Sequence, residues 1–332
     1  MSGSGRGVPL RLGTRGSTLA RAQAGLVAEA LRRLHPGLAV DLVVIKTEGD
    51  RSSEGPLDDL VASAGGGVFV KEIQEQLLQG NIDLAVHSAK DLPTEVPRGL
   101  RIAAYLERGD PRDALVSTGN MGLARLPRGA RAGTTSPRRR IQLARLRPDL
   151  SFIPIRGNVD TRLRKLREGV CETLVLAAAG LDRIGMGGAD TVTERLSPRV
   201  CLPAAGQGAL AVEARDDDRR VAELCRALDH HPTRLAVEAE RSFLAEMGGG
   251  CRAPIGVLAY LAGSAGDRSE EREAEEIGKV GQAVMIIEAF TAEEDGSGYA
   301  RNRVEGPAVR AAELAAGLAL SLGRGCGLET GR

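Results

Sequence analysis

The sequence predicts an α/β fold with two doubly wound lobes, followed by a small α+β domain. Three observations carry this prediction. Strand-like apolar runs alternate with amphipathic helical runs from the start of the chain, and the alternation begins again after "ERGDPRDALVS" at 107–117. From about residue 227 it gives way to a long helix and hairpin-like strands. Strands that alternate with helices form mostly parallel sheets with helices on both faces.

The first lobe begins with a strand that enters a turn at residues 8–15. A helix follows, because apolar residues recur at helical spacing through residues 17–34, and Ser17 and Thr18 are candidate caps. We then expect a buried strand at 38–47, a helix that ends at Gly80, and another buried strand at 82–88. This β-α-β-α-β order is the unit of a parallel sheet.

The second lobe repeats this order, and the C-terminal part departs from it. The stretches that form the second lobe are "ARAGTTSPRRRIQLARLRPDL", "SFIPIRGN", "VDTRLRKLREG" and "CETLVLAAAGL", and "LPAAGQGALAVEAR" is strand-like again. A helix at 233–250 then ends in glycines, before hairpin-like strands and an alanine-rich terminal helix. Residues 263–279 are polar and rich in acid, which predicts a mobile surface insertion.

Composition limits the classes of partner. The 332 residues carry 45 basic and 44 acidic side chains, so the net charge of +1 gives no overall field toward nucleic acid or a membrane. Aromatic residues are 2% of the chain, which leaves few stacking platforms for single-stranded nucleic acid. The sequence has no apolar run near the roughly 18 residues of a membrane span and no apolar core of a secretory signal. We expect a cytoplasmic monomer without nucleic-acid or membrane partners.

The cysteines and histidines predict no metal site. The five cysteines are widely spaced and contain no C-x-x-C pair, which indicates a reducing compartment and neither a disulfide framework nor a zinc site. The adjacent His230 and His231 have no cysteine nearby, so a loop or helix cap is the expected setting.

A cluster of arginines at a predicted helix start indicates an anion site. In "GTTSPRRRIQ", Pro137 takes the favoured first helical position and three arginines, 138–140, follow in the first turn. Positive charge is disfavoured there because the helix dipole already presents it. Three arginines together therefore suggest that an anion docks on them, helped by free backbone N–H groups. A solvated basic turn is the alternative.

Further arginines follow predicted strands in both lobes, where doubly wound sheets bind ligands. These positions are Arg15 with Ser17 after the first strand, and Arg156, Arg162 and Arg183 in the second lobe. Each alone is compatible with a surface arginine. Guanidinium groups grip carboxylates with two parallel hydrogen bonds, so the set predicts a ligand that carries several carboxylates.

Two other stretches suggest chemistry. In "LAVHSAKDLPT", Asp91 follows a strand end, where we expect partial burial to tune it and Lys90 to hold it ionised; a simple turn is the alternative. In "EMGGGCRAPIG", three glycines leave Cys251 uncovered, and Arg252 favours its thiolate. A buried free cysteine is the alternative there. The sequence shows no histidine nearby to act as the base of a nucleophilic cysteine, and a thiolate that is covalently loaded only once needs no such base.

At these stretches the chain resembles the porphobilinogen deaminase family, also called hydroxymethylbilane synthase. The motifs "HSAKDLPT", "GTTSPRRRIQL", "RGNVDTRL", "LPAAGQGAL" and "GGGCRAPIG" stand in the family's order and spacing. The resemblance covers about residues 9–262 and continues more loosely to the end. It implies two lobes like those of periplasmic binding proteins. Lobe 1 would comprise 1–107 and 206–226, lobe 2 would comprise 108–205, and 227–332 would form the α+β domain with the cysteine.

The resemblance also implies the reaction. A dipyrromethane cofactor, joined by a thioether to Cys251, serves as a primer to which four porphobilinogen molecules are added head to tail. Each substrate loses ammonia to give an electrophilic azafulvene, which the free α-carbon of the growing chain attacks. Water finally releases linear hydroxymethylbilane. The carboxylate of Asp91 stabilises the positive pyrrole nitrogens and can move protons.

The remaining site residues are carried over from the family position by position. Cofactor contacts are assigned to Ser88, Lys90, Thr134, Ser136, Arg138, Arg139, Arg162 and Arg183. Substrate contacts are assigned to Arg15, Ser17, Arg156 and Phe69. The chain departs from the family in "LVASAGGGVFVKE", where Gly66 and the region of Ala62 replace lysines of a GKGLF-like loop. Lysine contacts to substrate from this loop are therefore not expected, unless Lys71 supplies one.

Two other function classes explain less of the sequence. A non-catalytic, two-lobed polycarboxylate-binding protein is compatible with the lobes, but it leaves Cys251 and the C-terminal domain unexplained. A DNA-binding regulator with an effector domain would need a helix-turn-helix and a basic face, and the sequence shows neither.

Overall fold

The computed structural model describes residues 8–45, 68–248, 254–263 and 283–326. The chain divides into two compact units. Unit 1 comprises residues 1–108 and 209–230, and unit 2 comprises residues 109–208 and 231–332. The expected lobe 2 and the C-terminal domain thus fall in one unit, although each has its own sheet. The expected insertion at 263–279 lies almost entirely outside the described residues.

Unit 1 is built on a five-stranded sheet in the order β2-β1-β3-β10-β4. Strand β1 pairs in parallel with β2 and β3, whereas β10 runs antiparallel between β3 and β4. The predicted mostly parallel sheet is confirmed. The strands are β1 Leu10–Arg15, β2 Val40–Ile45, β3 Leu84–Ser88, β4 Leu100–Tyr105 and β10 Leu210–Arg215, and the helices are α1 Thr18–Leu34, α2 Val68–Leu78 and α6 Arg219–Arg226.

The helix starts and stops of unit 1 follow their sequence signals. The hydroxyl of Ser17 caps α1 by accepting the N–H of Ala20 at 3.3 Å, and Asp218 caps α6 by accepting the N–H of Val221 at 3.0 Å. Helix α2 is followed by Gly80, whose φ of +71° suits glycine. The apolar face of α1 packs on β1 and β3 around Leu10, Leu12, Val27, Leu31 and Leu84.

The prediction of a buried strand at 38–47 is wrong in its burial. Strand β2 forms over Val40–Ile45, but it is an edge strand of the sheet. Leu42 and Val44 are 42% and 46% exposed, while Val40 is buried. Successive side chains of a strand point to opposite faces, and a strand at the edge of a sheet is covered less than a central one. The apolar composition alone did not distinguish the edge from the centre.

Unit 2 contains a second five-stranded sheet with the same arrangement, in the order β7-β6-β8-β5-β9. Strand β6 pairs in parallel with β7 and β8, and β5 runs antiparallel between β8 and β9. The strands are β5 Asp113–Ser117, β6 Arg131–Gly133, β7 Ser151–Ile153, β8 Thr173–Ala177 and β9 Glu194–Arg195, and the helices are α3 Pro137–Leu146, α4 Val159–Arg167 and α5 Ala178–Arg183. In each unit the antiparallel strand lies next to the point where the chain passes to or from the other unit.

The C-terminal part of unit 2 has a three-stranded antiparallel sheet, in the order β11-β12-β13. Its elements are α7 His231–Glu246, β11 Gly256–Leu261, β12 Val284–Thr291, β13 Ala300–Pro307 and α8 Ala311–Cys326. Phe243, Val257, Met285, Ile287 and Ala315 are fully buried between the sheet and the two helices. The predicted helix, hairpin strands and alanine-rich terminal helix are confirmed here.

Backbone and side-chain contacts join the two sheets of unit 2. Arg301 on β13 binds Glu288 at 2.6 Å and also donates to the backbone oxygens of Pro198 and Arg199. The guanidinium of Arg145 lies 4.1 Å from the centre of the Tyr299 ring. These contacts explain why residues 109–208 and the C-terminal domain behave as one compact unit.

Glycine is required where the chain leaves unit 2. Gly109 donates its N–H to the backbone oxygen of Gly208 at 3.1 Å. Gly208 has a φ of +91°, and a Cβ there would lie 2.6 Å from the Gly109 oxygen. In the part of the chain that the structure describes, no helix combines the length and the apolar character needed to cross a membrane.

Candidate active site

The strongest candidate carboxylate of unit 1 lies on a short turn after β3. Residues Ala89–Asp91 form one 3₁₀ turn, and the N–H of Ala89 donates to the backbone oxygen of Ala209 at 3.0 Å. Ala89 and Leu92 are buried, Lys90 is half-buried, and Asp91 is exposed. The expected partial burial of Asp91 is therefore wrong. The buried neighbours fix the backbone of the turn, and the carboxylate is accessible to a ligand.

Ser88, at the end of β3, is oriented by helix α1. Its hydroxyl accepts a hydrogen bond from Gln23 at 2.9 Å, and Gln23 is buried. Because β1 and β3 are parallel neighbours, their carboxyl ends lie at the same edge of the sheet. Arg15 at the end of β1 and the α1 cap Ser17 are therefore placed at the edge that carries Ser88. The structure thus places Arg15, Ser17 and Ser88, with the turn that carries Asp91, at one edge, where doubly wound sheets bind ligands.

A buried polar group beneath this edge was missed by the sequence analysis. The carboxylate of Glu213 on β10 accepts from Gln74 at 2.8 Å and lies 3.0 Å from Nε2 of His87. All three side chains are buried. Their hydrogen bonds link α2, β3 and β10. Strand β3, which leads to Asp91, is therefore tied to both β10 and α2. Only the acidic residue in an otherwise apolar strand, "ALAVEAR", signalled this in the sequence.

In unit 2 the arginine cluster surrounds a carboxylate that the sequence analysis also missed. Arg138 and Arg139 bind opposite oxygens of Asp113, each at 2.7 Å, and all three side chains are buried. Gln207 and the Cys201 thiol donate to the same carboxylate at 2.9 and 3.3 Å. Burial raises the pKa of Asp113, but the two guanidinium groups outweigh it and hold that pKa far below the usual range.

Cofactor binding by Arg138 and Arg139 stays a prediction. The anion site that the sequence predicts already contains one carboxylate of the protein, that of Asp113. Thr134 and Ser136 shape the turn before them: the hydroxyl of Thr134 accepts the N–H of Ser136 at 3.1 Å, and Ser136 caps α3. The predicted Pro137 at the first helical position is confirmed. Burial raises the pKa of the Cys201 thiol to about 12, so it remains a neutral donor.

The other arginines of unit 2 lie beyond the carboxyl ends of its parallel strands. Arg156 is exposed three residues after β7, and Arg162, in the first turn of α4, donates from Nε to the backbone oxygen of Gly157 at 2.8 Å. Arg183, at the end of α5, donates to the backbone oxygen of Gly208. Burial lowers the pKa of Arg183 to about 10, against the opposing effect of Asp182. The Asp182 carboxylate is itself bound to Arg195 at 2.6 Å.

Three predictions fall outside the described residues or side chains. Cys251 lies between the end of α7 and the start of β11, in a segment that the structure does not describe, as do Ala62 and Gly66. Phe69 belongs to the first turn of α2, and Lys71 in the same helix is exposed. In the C-terminal part of unit 2, the buried Glu240 of α7 accepts the N–H groups of Gly206 and Ala259 at 2.6 and 2.8 Å. The described residues contain no cluster of His, Cys, Asp or Glu able to hold a metal ion.

Two family profiles and two similar proteins that match most of the chain all belong to one family. Residues 10–223 match the family profile described as "Porphobilinogen deaminase, dipyromethane cofactor binding domain", and residues 234–322 match "Porphobilinogen deaminase, C-terminal domain". A porphobilinogen deaminase of Roseiflexus sp. (strain RS-1) is 53% identical over 254 residues, which are 76% of this chain and 82% of that protein. One of Desulforudis audaxviator is 45% identical over 311 residues, 94% of this chain and 93% of that protein.

A solved structure, the periplasmic aliphatic sulphonate binding protein of Escherichia coli, matches with 15% identity and a TM-score of 0.37, covering 71% of this chain and 69% of that chain. A score of this size is too low to support an argument.

Proposed function

The chain belongs to the porphobilinogen deaminase family, and we propose that its reaction is centred on the carboxylate of Asp91, with the cofactor anchored at Cys251. The enzyme is a transferase, a hydroxymethylbilane synthase that joins porphobilinogen units on a dipyrromethane cofactor. The alternative of a non-catalytic polycarboxylate-binding protein has no support in these relatives. It would also leave the match of the C-terminal domain unexplained.

The charge balance of unit 2 supports cofactor binding there. Arg138 and Arg139 are buried around the single carboxylate of Asp113, so one positive charge is in excess. Arg183 is half-buried and donates to the backbone oxygen of Gly208, while the carboxylate of the adjacent Asp182 is bound to Arg195. Buried charges are stable when compensated. A ligand that carries several carboxylates, as each pyrrole with an acetate and a propionate does, fits this donor set.

Asp91 is the proposed catalytic carboxylate of unit 1. Its position on a fixed turn, exposed to a ligand, allows it to stabilise positive charge that develops on pyrrole nitrogens. When bound, the dipyrromethane supplies the free pyrrole α-carbon from which the product grows. Ser88 and Lys90, on either side of buried Ala89, would bind cofactor carboxylates. Arg15 and Ser17 at the same edge, together with Arg156 and Phe69, would bind substrate.

The observation that carries the proposal is the excess of buried guanidinium charge in unit 2, and the mass of the purified chain tests it. We expect the chain to be heavier than its sequence by two pyrrole units and to redden with Ehrlich's reagent. The variant Cys251→Ser should lose both properties, whereas Cys225→Ser, at a buried free thiol of unit 1, should keep them. Active enzyme of unmodified mass would overturn the proposal.

We also propose that the enzyme works as a monomer in the cytoplasm, without nucleic acid or membrane. The balanced charge supports the absence of anionic macromolecular partners. The free thiols of Cys171, Cys201 and Cys225 are those of a protein kept in a reducing compartment. Light scattering on the purified enzyme should give the mass of one chain at micromolar concentration, and a dimer mass would contradict the monomer.

A further inference from the structure

Arg138 and Arg139 bind Asp113 in different ways. Arg139 donates from Nε and Nη2 to the same oxygen of Asp113, at 3.1 and 2.7 Å, and from Nη1 to the backbone oxygen of Val175 at 2.8 Å. Arg138 donates from Nη1 alone, to the other oxygen of Asp113 at 2.7 Å and to the backbone oxygen of Leu202. The two arginines are neighbours on one helix, but they use different nitrogens of the guanidinium to bind Asp113.

The difference concerns the edge of the guanidinium that grips carboxylates. Nε and Nη2 form an edge of two parallel N–H groups, which suits the two oxygens of a carboxylate. Asp113 occupies this edge of Arg139. On Arg138, Nε and Nη2 form no hydrogen bond to any residue that the structure describes. The edge of Arg138 thus has capacity for a second carboxylate.

Asp113 is itself held in place and cannot follow either arginine. It is the first residue of β5 and is 0% exposed. Gln207 donates to one of its oxygens at 2.9 Å and Cys201 to the other at 3.3 Å. Gln207 also donates to the backbone oxygen of Pro111 at 2.8 Å. A carboxylate fixed by a strand and by two further donors imposes its position on the guanidinium groups around it.

The cluster can accept one more carboxylate by charge as well as by geometry. Two guanidinium groups and one carboxylate leave one positive charge in excess. The N-terminus of α3, capped by Ser136, adds partial positive charge at the same place. A single incoming carboxylate would balance this excess, whereas a second would meet no free positive charge in the cluster.

We propose that Asp113 is a positioning residue for the cofactor, because it occupies Arg139 and holds Arg138 so that its Nε–Nη2 edge receives one cofactor carboxylate. The inference rests on the proposed function, in which unit 2 binds the carboxylates of the dipyrromethane. Arg138 is then the residue that touches the cofactor, and Arg139 acts through Asp113. The two arginines should differ when each is replaced by lysine, which keeps the charge but cannot form two parallel hydrogen bonds.

Arg138→Lys and Arg139→Lys form the decisive pair of variants, with Asp113→Asn as a third. The control is Asp149→Asn, which breaks the part-buried pair with Arg147 at 2.7 Å in the same unit. Each enzyme is purified as expressed, and intact mass gives the fraction of chains that carry two pyrrole units. After limited porphobilinogen, the masses of the enzyme–pyrrole complexes give the rate of each addition. Thermal unfolding is recorded alongside, because a structural role alone changes stability and leaves the loaded chains normal.

We expect Arg138→Lys to reduce the loaded fraction and to slow the additions roughly tenfold or more, as the loss of a charged hydrogen bond implies. Arg139→Lys should slow loading and elongation less than Arg138→Lys does, because Arg139 acts on the cofactor only through Asp113. Asp113→Asn should resemble Arg138→Lys in loading and elongation. If that chain does not fold, the two lysine variants decide alone.

Equal effects of Arg138→Lys and Arg139→Lys, or a larger effect at Arg139, would overturn the inference. So would a folded Asp113→Asn enzyme with wild-type loading and elongation. Failure of the proposed function has a different signature, since active wild-type enzyme would then have the unmodified mass of its sequence. These results separate the role of Asp113 from the existence of the cofactor site.

Discussion

His87 and Glu213 form a buried pair in unit 1, with Nε2 of the imidazole 3.0 Å from a carboxylate oxygen. Gln74 donates to the other oxygen at 2.8 Å, so both oxygens of Glu213 are engaged. The pair connects β3, the central strand of the sheet, which leads to Asp91, with its neighbour β10. The position of the Asp91 turn therefore depends on a polar contact inside the lobe.

Glu213→Gln should lower the free energy of unfolding by about 1–3 kcal/mol, because an amide cannot accept from both buried donors. Urea unfolding followed by circular dichroism measures the change. Glu223→Gln, in an exposed pair with Arg226, is the matched control and should change stability by less than about 0.5 kcal/mol. A Glu213→Gln chain as stable as this control would show that the buried pair contributes nothing.

Asp91→Ala should leave stability within about 0.5 kcal/mol of the wild type, since the side chain is exposed. Turnover should fall by about 100-fold or more, as when a preorganised electrostatic group is removed from an active site. Steady-state formation of product from porphobilinogen measures turnover. Glu95→Ala, an exposed carboxylate four residues further on, should behave as the wild type. Near-normal turnover of Asp91→Ala would remove this residue from the centre of the reaction.

The order of elements could be read from the sequence because strand and helix periods differ and because the caps are local signals. Ser17, Gly80 and Pro137 mark boundaries that the structure confirms. The edge position of β2 could not be read, because it depends on which strands pair across the chain. Asp113 was also missed, since its partnership with Arg138 joins residues 25 positions apart and leaves no periodic pattern.

Arg183→Met should keep the fold and impair cofactor loading or elongation. The guanidinium is half-buried, which lowers the pKa of Arg183 to about 10, and methionine removes this charge without opening a large cavity. We expect the free energy of unfolding to stay equal or to rise. Pyrrole units should be added to the enzyme roughly tenfold more slowly than in the wild type. Intact mass spectrometry after limited substrate gives the rates. An elongation pattern identical to that of the exposed control Arg167→Met would assign Arg183 a purely structural role.

Asp110, beside the crossing point at Gly109, should carry part of the acid sensitivity of unit 2. Burial raises the pKa of Asp110, but hydrogen bonds from Arg112 and Arg195 outweigh it and lower that pKa to about 2. A carboxyl with a lowered folded-state pKa stabilises the fold above its unfolded pKa, and loses this contribution as pH falls through the folded value. The shift from 3.8 corresponds to about 2 kcal/mol at pH 7.

Asp110→Asn should therefore destabilise the enzyme by about 2 kcal/mol at pH 7 and progressively less as pH falls from about 4 toward 2. Urea unfolding midpoints at pH 7, 5, 4 and 3 measure the narrowing difference between the variant and the wild type. Asp190→Asn, at an exposed turn of the same unit, is the control and should show a small difference that stays constant with pH. If the stability difference between Asp110→Asn and the wild type is as large at pH 3 as at pH 7, the ionised carboxylate of Asp110 is not the form that Arg112 and Arg195 stabilise.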